Sequence, residues 1–80
     1  MKVELNLYAS LRRYGPDNAT NPGPWLLEAK EGTTITELLK CLNVPLETVR
    51  LIFLNGVHTN GHEILNDGDK VGVFPPIAGG

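Results

Sequence analysis

One stretch of this chain carries a helical repeat, and it limits what the rest can become. In Thr34-Ile35-Thr36-Glu37 the Thr34 hydroxyl is placed to accept the Glu37 backbone N–H while the Glu37 carboxylate reaches back, the pattern of a capping box. After that start, Ile35, Leu38, Leu39 and Leu42 fall at i, i+3, i+4 and i+7, one apolar stripe suited to lie on a sheet. Asn43 is fit to end the helix, and Pro45 forbids simple continuation. Eighty residues make one domain, able to bury only about 60–65% of its unfolded surface. With one stripe to cover it, the remainder must be a sheet with a single helix on one face.

The strands follow from two-residue alternation. Residues 2–9 put Val3, Leu5, Leu7 and Ala9 on one side and Lys2, Glu4, Asn6 and Tyr8 on the other. Residues 10–24 are dense in glycine, proline and asparagine and read as a long surface loop, with Leu11 tucked back into the core. Trp25–Lys30 resumes the alternation and should pair antiparallel with the first strand. Leu46–Val49 suggests a short helical turn. Arg50–Leu54 is a third strand ending in Asn55-Gly56, a hairpin dipeptide, with Val57-His58-Thr59 as the return arm. Asn66-Asp67-Gly68-Asp69 then turns the chain into Lys70–Phe74, with Val71 and Val73 inward and Gly72 and Phe74 outward. Strand runs around one helix define the α+β class. First and last strands both carry inward aliphatic residues at every second position, which places them side by side and parallel mid-sheet. The expected fold is a β-grasp, ubiquitin-like layout: a mixed sheet of four to five strands with the helix on one face.

Composition removes several functions. Hydrophobic residues are 41% and charged residues 20%, ordinary for a globular domain. The formal charge is -2 with no basic stripe, so no nucleic-acid partner is expected. Without a signal-type apolar core at the N-terminus or a membrane span, the expected location is cytoplasmic. A single cysteine excludes an internal disulfide or a four-cysteine site. Cys41 reads as an inert, buried thiol at the margin of the helical stripe. His58 and His62 are four apart, but Asn60-Gly61 breaks any helix between them, so they read as hairpin surface residues and no metal site is expected. Arg12, Arg13 and Arg50 read as solvated side chains with some capacity to attract an acidic partner or a phosphate. The Asn18-Ala19-Thr20 triplet reads as an incidental glycosylation match.

The informative segment is the end, Phe74-Pro75-Pro76-Ile77-Ala78-Gly79-Gly80. Gly79 and Gly80 carry no side chains and can pass a channel too narrow for other residues. Pro75 and Pro76 hold the exit from the last strand extended and stiff. From Pro76 to Gly80 the chain can reach roughly 15 Å. The expected organisation is a domain over residues 1–75 and a flexible tail over 76–80. Phe74 is expected to anchor an interface, forming an apolar patch with Ile52 or Leu54, whichever faces away from the helix.

These residues resemble the MoaD/ThiS family of ubiquitin-like sulfur carriers, and within it the branch that forms the small subunit of molybdopterin synthase. The resemblance is carried by Leu7-Tyr8-Ala9-Ser10-Leu11-Arg12, by Gly32-Thr33-Thr34 leading into Leu38-Leu39, by Leu65-Asn66-Asp67-Gly68-Asp69-Lys70-Val71, and by the Phe74–Gly80 ending. It implies that the Gly80 carboxylate is the reacting group: an E1-like partner adenylates it with ATP, a sulfur donor converts it to a thiocarboxylate, and the sulfur passes to an acceptor enzyme such as the molybdopterin synthase large subunit. Phe74, Pro75, Pro76, Ile77, Ala78 and Gly79 would contact those partners, and no cofactor would be bound stably. A terminal carboxylate with pKa near about 3.5 is ionised and a poor electrophile at neutral pH, which is why adenylation is needed. The proline- and glycine-rich loop over Pro16–Pro24 favours the molybdopterin branch over the minimal thiamine carriers. Sulfur carriage for thiamine or tRNA thiolation, a ubiquitin-like modifier joined to lysines through Gly80, and a plain binding domain are the alternatives.

Overall fold

Alternation at the N-terminus becomes strand β1, Lys2–Leu7, with Val3, Leu5 and Leu7 fully buried. The computed structural model describes residues 1–16 and 23–76. Along the chain follow a 3-10 helix Ala9–Tyr14, β2 (Trp25–Glu28), α1 (Ile35–Cys41), a 3-10 turn Leu46–Thr48, β3 (Leu51–Leu54), β4 (Val57–Thr59) and β5 (Lys70–Phe74). The sheet order is β2-β1-β5-β3-β4, with β1 and β5 parallel and the other neighbours antiparallel. This is the β-grasp arrangement with the first and last strands central.

α1 forms as its ends dictate. The Glu37 N–H donates to Thr34 Oγ1 at 3.1 Å, and the Thr34 N–H donates to Glu37 Oε1 at 3.0 Å, closing the capping box. At the other end Asn43 takes φ +62, its N–H donates to the Lys40 carbonyl, and the Val44 N–H donates to the Leu39 carbonyl. Those two bonds are a Schellman ending, sealed by contact of buried Val44 with the core that holds Leu39. Ile35, Leu38 and Leu39 are buried, while Leu42 is half-buried.

Two turns lock the sheet at the end opposite the exit of β5. Asn55 (φ +52) and Gly56 (φ +84) make the β3–β4 hairpin turn, which needs left-handed backbone at both positions. The Asn55 side chain donates to Asp69 Oδ1 at 3.0 Å and accepts from the Lys70 N–H at 2.9 Å. Asp69 Oδ2 in turn accepts the Asn66 N–H at 2.7 Å.

The structure corrects the reading of residues 9–14. Ala9 is exposed at φ +51 and does not extend β1; it opens the 3-10 helix that was expected to be loop. That helix drives Leu11 into the core, 1% exposed. Beyond it, Gly15 and Gly23 close over the Trp25 indole: a Cβ on Gly23 would lie 3.2 Å from the ring, and one on Gly15 would overlap it. These glycines are packing surface as well as turn formers. The remainder of the expected loop, including the Asn18 triplet, lies outside the described residues.

Candidate functional site: the root of the tail and the open sheet face

β5 ends between two neighbours that hold its last carbonyls. The Tyr8 N–H donates to the Val73 carbonyl at 3.1 Å from one side, and the Arg50 N–H donates to the Phe74 carbonyl at 2.8 Å from the other. Pro75 has no N–H to continue the ladder, so the strand stops there. Pro75 is half-buried and Pro76 exposed. Ile77, Ala78, Gly79 and Gly80, and with them the expected reacting end, lie outside the described residues.

Phe74 points away from α1, as expected, but its company differs. In the β3–β5 register Ile52 pairs with Val73 and Leu54 with Val71, so both face the core side; Leu51, opposite Phe74, and Phe53, opposite Gly72, face outward. The expected partners Ile52 and Leu54 are therefore replaced by Leu51 and Phe53. The Tyr8 and Phe74 rings stack with centroids 4.1 Å apart and planes 4° from parallel. Phe53 meets Phe74 edge-on at 5.7 Å and touches the His58 ring at 5.7 Å. Such contacts add to simple area burial and hold the rings in a defined arrangement.

Gly72 lies within this cluster. A Cβ there would sit 3.5 Å from the Tyr8 ring and 3.8 Å from the Phe74 ring, and its absence leaves room beside them. The resulting shallow depression, about 410 Å³, is lined by Tyr8, Phe53, Gly72 and Phe74 with Glu4, Asn6 and Lys70 at its polar side. Tyr8, Leu51, Phe53 and Gly72 were not singled out as site residues by sequence. Tyr8 and Gly72 were legible as outward positions, whereas Leu51 and Phe53 were hidden in an unbroken apolar run.

Cys41 and the two histidines fall away from this end. Cys41 is exposed, which corrects the expectation of a buried thiol: it is the last residue of α1, off the stripe that Ile35, Leu38 and Leu39 bury. It sits on the helix side of the sheet, opposite the face that carries Phe74. His58 and His62 line an open depression with Thr59, Asn60 and Glu63. Among the described residues no three His, Cys, Asp or Glu side chains gather as a metal site, and no helix is long and apolar enough to cross a membrane. Arg12, Arg13 and Arg50 are exposed, with the Arg13 guanidinium 5.8 Å from the Tyr14 ring centroid.

No curated protein sequence matches the chain. Among solved structures, the fold is similar to the HVO 2177 protein of Haloferax volcanii, with TM-score 0.75 and 23% identity over 100% of this chain and 87% of that one. It is similar to a Pyrococcus furiosus protein provisionally assigned as molybdopterin converting factor, subunit 1, with TM-score 0.68 and 27% identity over 96% of this chain and 99% of that one. It is also similar, with TM-score 0.64 and 22% identity over the full length of both chains, to a chain in the complex of subunits 1 and 2 of molybdopterin-converting factor from Helicobacter pylori. The ThiS family model matches residues 19–80, from the segment before β2 through β5 and the Gly79-Gly80 ending. The chain belongs to the ThiS family.

Proposed function

We propose that this protein is a sulfur carrier that delivers sulfur in molybdopterin biosynthesis, with Gly80 as the reacting residue. The observation that supports the reading is the family match over residues 19–80, a span that includes Gly79 and Gly80. The likeness to the Pyrococcus furiosus protein provisionally assigned as molybdopterin converting factor, subunit 1, supports that branch. The fold agrees with the role: the central strand β5 is held on both sides up to Phe74, then released through Pro75 and an exposed Pro76.

The chemistry is carried at the chain end. A Gly80 carboxylate oxygen attacks the α-phosphorus of ATP and pyrophosphate leaves, all within an E1-like partner. Sulfide released by the donor then attacks the acyl carbon, AMP leaves, and a thiocarboxylate remains. In the acceptor enzyme that sulfur becomes the nucleophile, and hydrolysis returns the carboxylate. The second subunit in the Helicobacter pylori complex supports a large-subunit acceptor of that kind. The carrier is consumed and regenerated as a cosubstrate.

The test is intact mass after incubation with ATP, the adenylating enzyme of the same genome and a sulfur donor. One oxygen should be replaced by sulfur, and a variant with one residue added after Gly80 should not change. No mass change with a partner that is active on its own carrier would refute the reading. A modifier would instead give isopeptide-linked adducts in extracts, lost when Gly80 is deleted.

A further inference from the structure

We infer that the root of the tail is ringed by an arginine collar that docks on a carboxylate-lined rim of the adenylating partner; the inference rests on the sulfur-carrier reading. The chain has three arginines, Arg12, Arg13 and Arg50. All three lie on the segments that flank the exit of β5. Arg12 and Arg13 are on the 3-10 helix that follows Tyr8, whose N–H holds the Val73 carbonyl. Arg50 holds the Phe74 carbonyl through its own N–H. All are exposed, and none is in an ion pair among the described residues, where the recorded pair is the Met1 ammonium with Glu28.

Three of the described carboxylates lie at the opposite end. Glu28 closes β2, Asp67 accepts the Lys2 N–H, and Asp69 braces the Asn55 turn, all at the far end of the sheet. Glu47, on the turn before Arg50, is the nearest described acid in sequence and makes no ion pair with it. The three arginines thus present positive charge, without an ion pair among the described residues, at the exit of β5. Guanidinium groups pair with carboxylates in a planar, two-bonded geometry that lysine cannot match. The segments that carry them flank the strand of Phe74, whose ring meets Tyr8 and Phe53, an apolar centre with charged residues at its edge. A nucleic acid fits less well: the Tyr8 and Phe74 rings cover each other's faces at 4.1 Å and leave few free for bases.

The partner's face should therefore carry an apolar spot to receive the rings and acidic side chains around the mouth that takes the tail. The test is ATP-dependent adenylation by the partner at varied chain concentration, from about 0.05 to about 0.5 M NaCl. The combined variant Arg12→Gln, Arg13→Gln, Arg50→Gln should raise KM by about tenfold at low salt, with kcat unchanged, because steering and rim pairing act on encounter and docking. Its KM should also lose most of the salt response of the unmodified chain. Lys2→Gln, Lys30→Gln, Lys40→Gln together remove the same charge elsewhere and should leave KM in place. Matching melting temperatures confirm that all variants are folded. An unchanged KM and salt response in the arginine variant, or an equal effect from the lysine variant, overturns the collar while leaving the carrier reading intact. Failure of the unmodified chain to be adenylated overturns both. Binding of a single-stranded oligonucleotide at about 0.15 M salt, lost in the arginine variant, assigns the collar to nucleic acid and also overturns it.

Discussion

Replacing Gly15 by alanine tests whether the loop glycines are packing surface. Gly15 has φ -68 and ψ 162, a conformation alanine adopts without strain, so the substitution isolates the steric effect. The new Cβ would sit 2.5 Å from Trp25 Cζ2 and 3.0 Å from Cζ3, against about 3.5–4.0 Å for an unforced carbon contact. Ring or loop must shift by about 1 Å, and the ring is 5% exposed. Overpacking of this kind costs about 1–3 kcal/mol, offset by about 0.4–1 kcal/mol from a less flexible unfolded chain. The net expectation is a loss of about 1–2 kcal/mol, a melting temperature about 5–15 °C lower for a domain of this size. Trp25 is the one tryptophan in the sequence, so urea unfolding followed by its fluorescence reports both stability and ring environment. Gly68→Ala is the control: Gly68 has φ +87 with nothing within 4 Å of an added Cβ, so it should lose stability through backbone strain and leave native emission unchanged. A Gly15→Ala protein as stable as the parent with unaltered emission would refute the packing argument.

Thr34→Ala should cost about 1 kcal/mol by opening the capping box, measured by denaturant unfolding. The Thr34 backbone N–H, and then its hydroxyl, hold the Glu37 carboxyl below its ordinary value. The folded value being depressed, its contribution is present above the ordinary carboxylate range and is lost as pH falls through the folded value. Stability measured against pH should therefore fall more steeply on acidification in the parent than in Glu37→Gln. Phe74→Ala removes a parallel stack and an edge contact, each worth about 0.5–1.5 kcal/mol. It should remain folded with a measurably lower melting temperature, and its KM for adenylation should rise; an unchanged KM would remove Phe74 from the interface.

The sequence shows the fold wherever polar and apolar residues alternate. β1, β2 and β5 were readable from Val3, Leu5, Leu7, Trp25, Val71 and Val73, and the parallel centre followed from them. Thr34-Glu37 and Asn55-Gly56 placed α1 and the hairpin because each pattern has a specific backbone requirement. Leu51-Ile52-Phe53-Leu54 offered no such signal: four apolar residues in a row look alike on both faces, and only the register against β5 turns Phe53 and Leu51 outward. Ala9 hid its left-handed backbone for a related reason, since alanine carries no local mark of it and the alternation appeared to continue through it. Cys41 was misread because a short helix covers its core side with Ile35, Leu38 and Leu39, leaving the next turn to solvent. At the tail, residue type suggested the chemistry, while the rings and arginines around its root came into view only once distant segments were brought together.

The pairing of β1 with β5 also sets the order of events during synthesis. Leu5 and Leu7 emerge from the ribosome well before their partners Val71 and Val73. Until then the centre of the sheet is missing, and the earlier segments can form only local structure such as α1 and the β3–β4 hairpin. The sheet is thus completed only once β5 has been made, so the face that joins Tyr8, Phe53 and Phe74 assembles after every other strand has emerged.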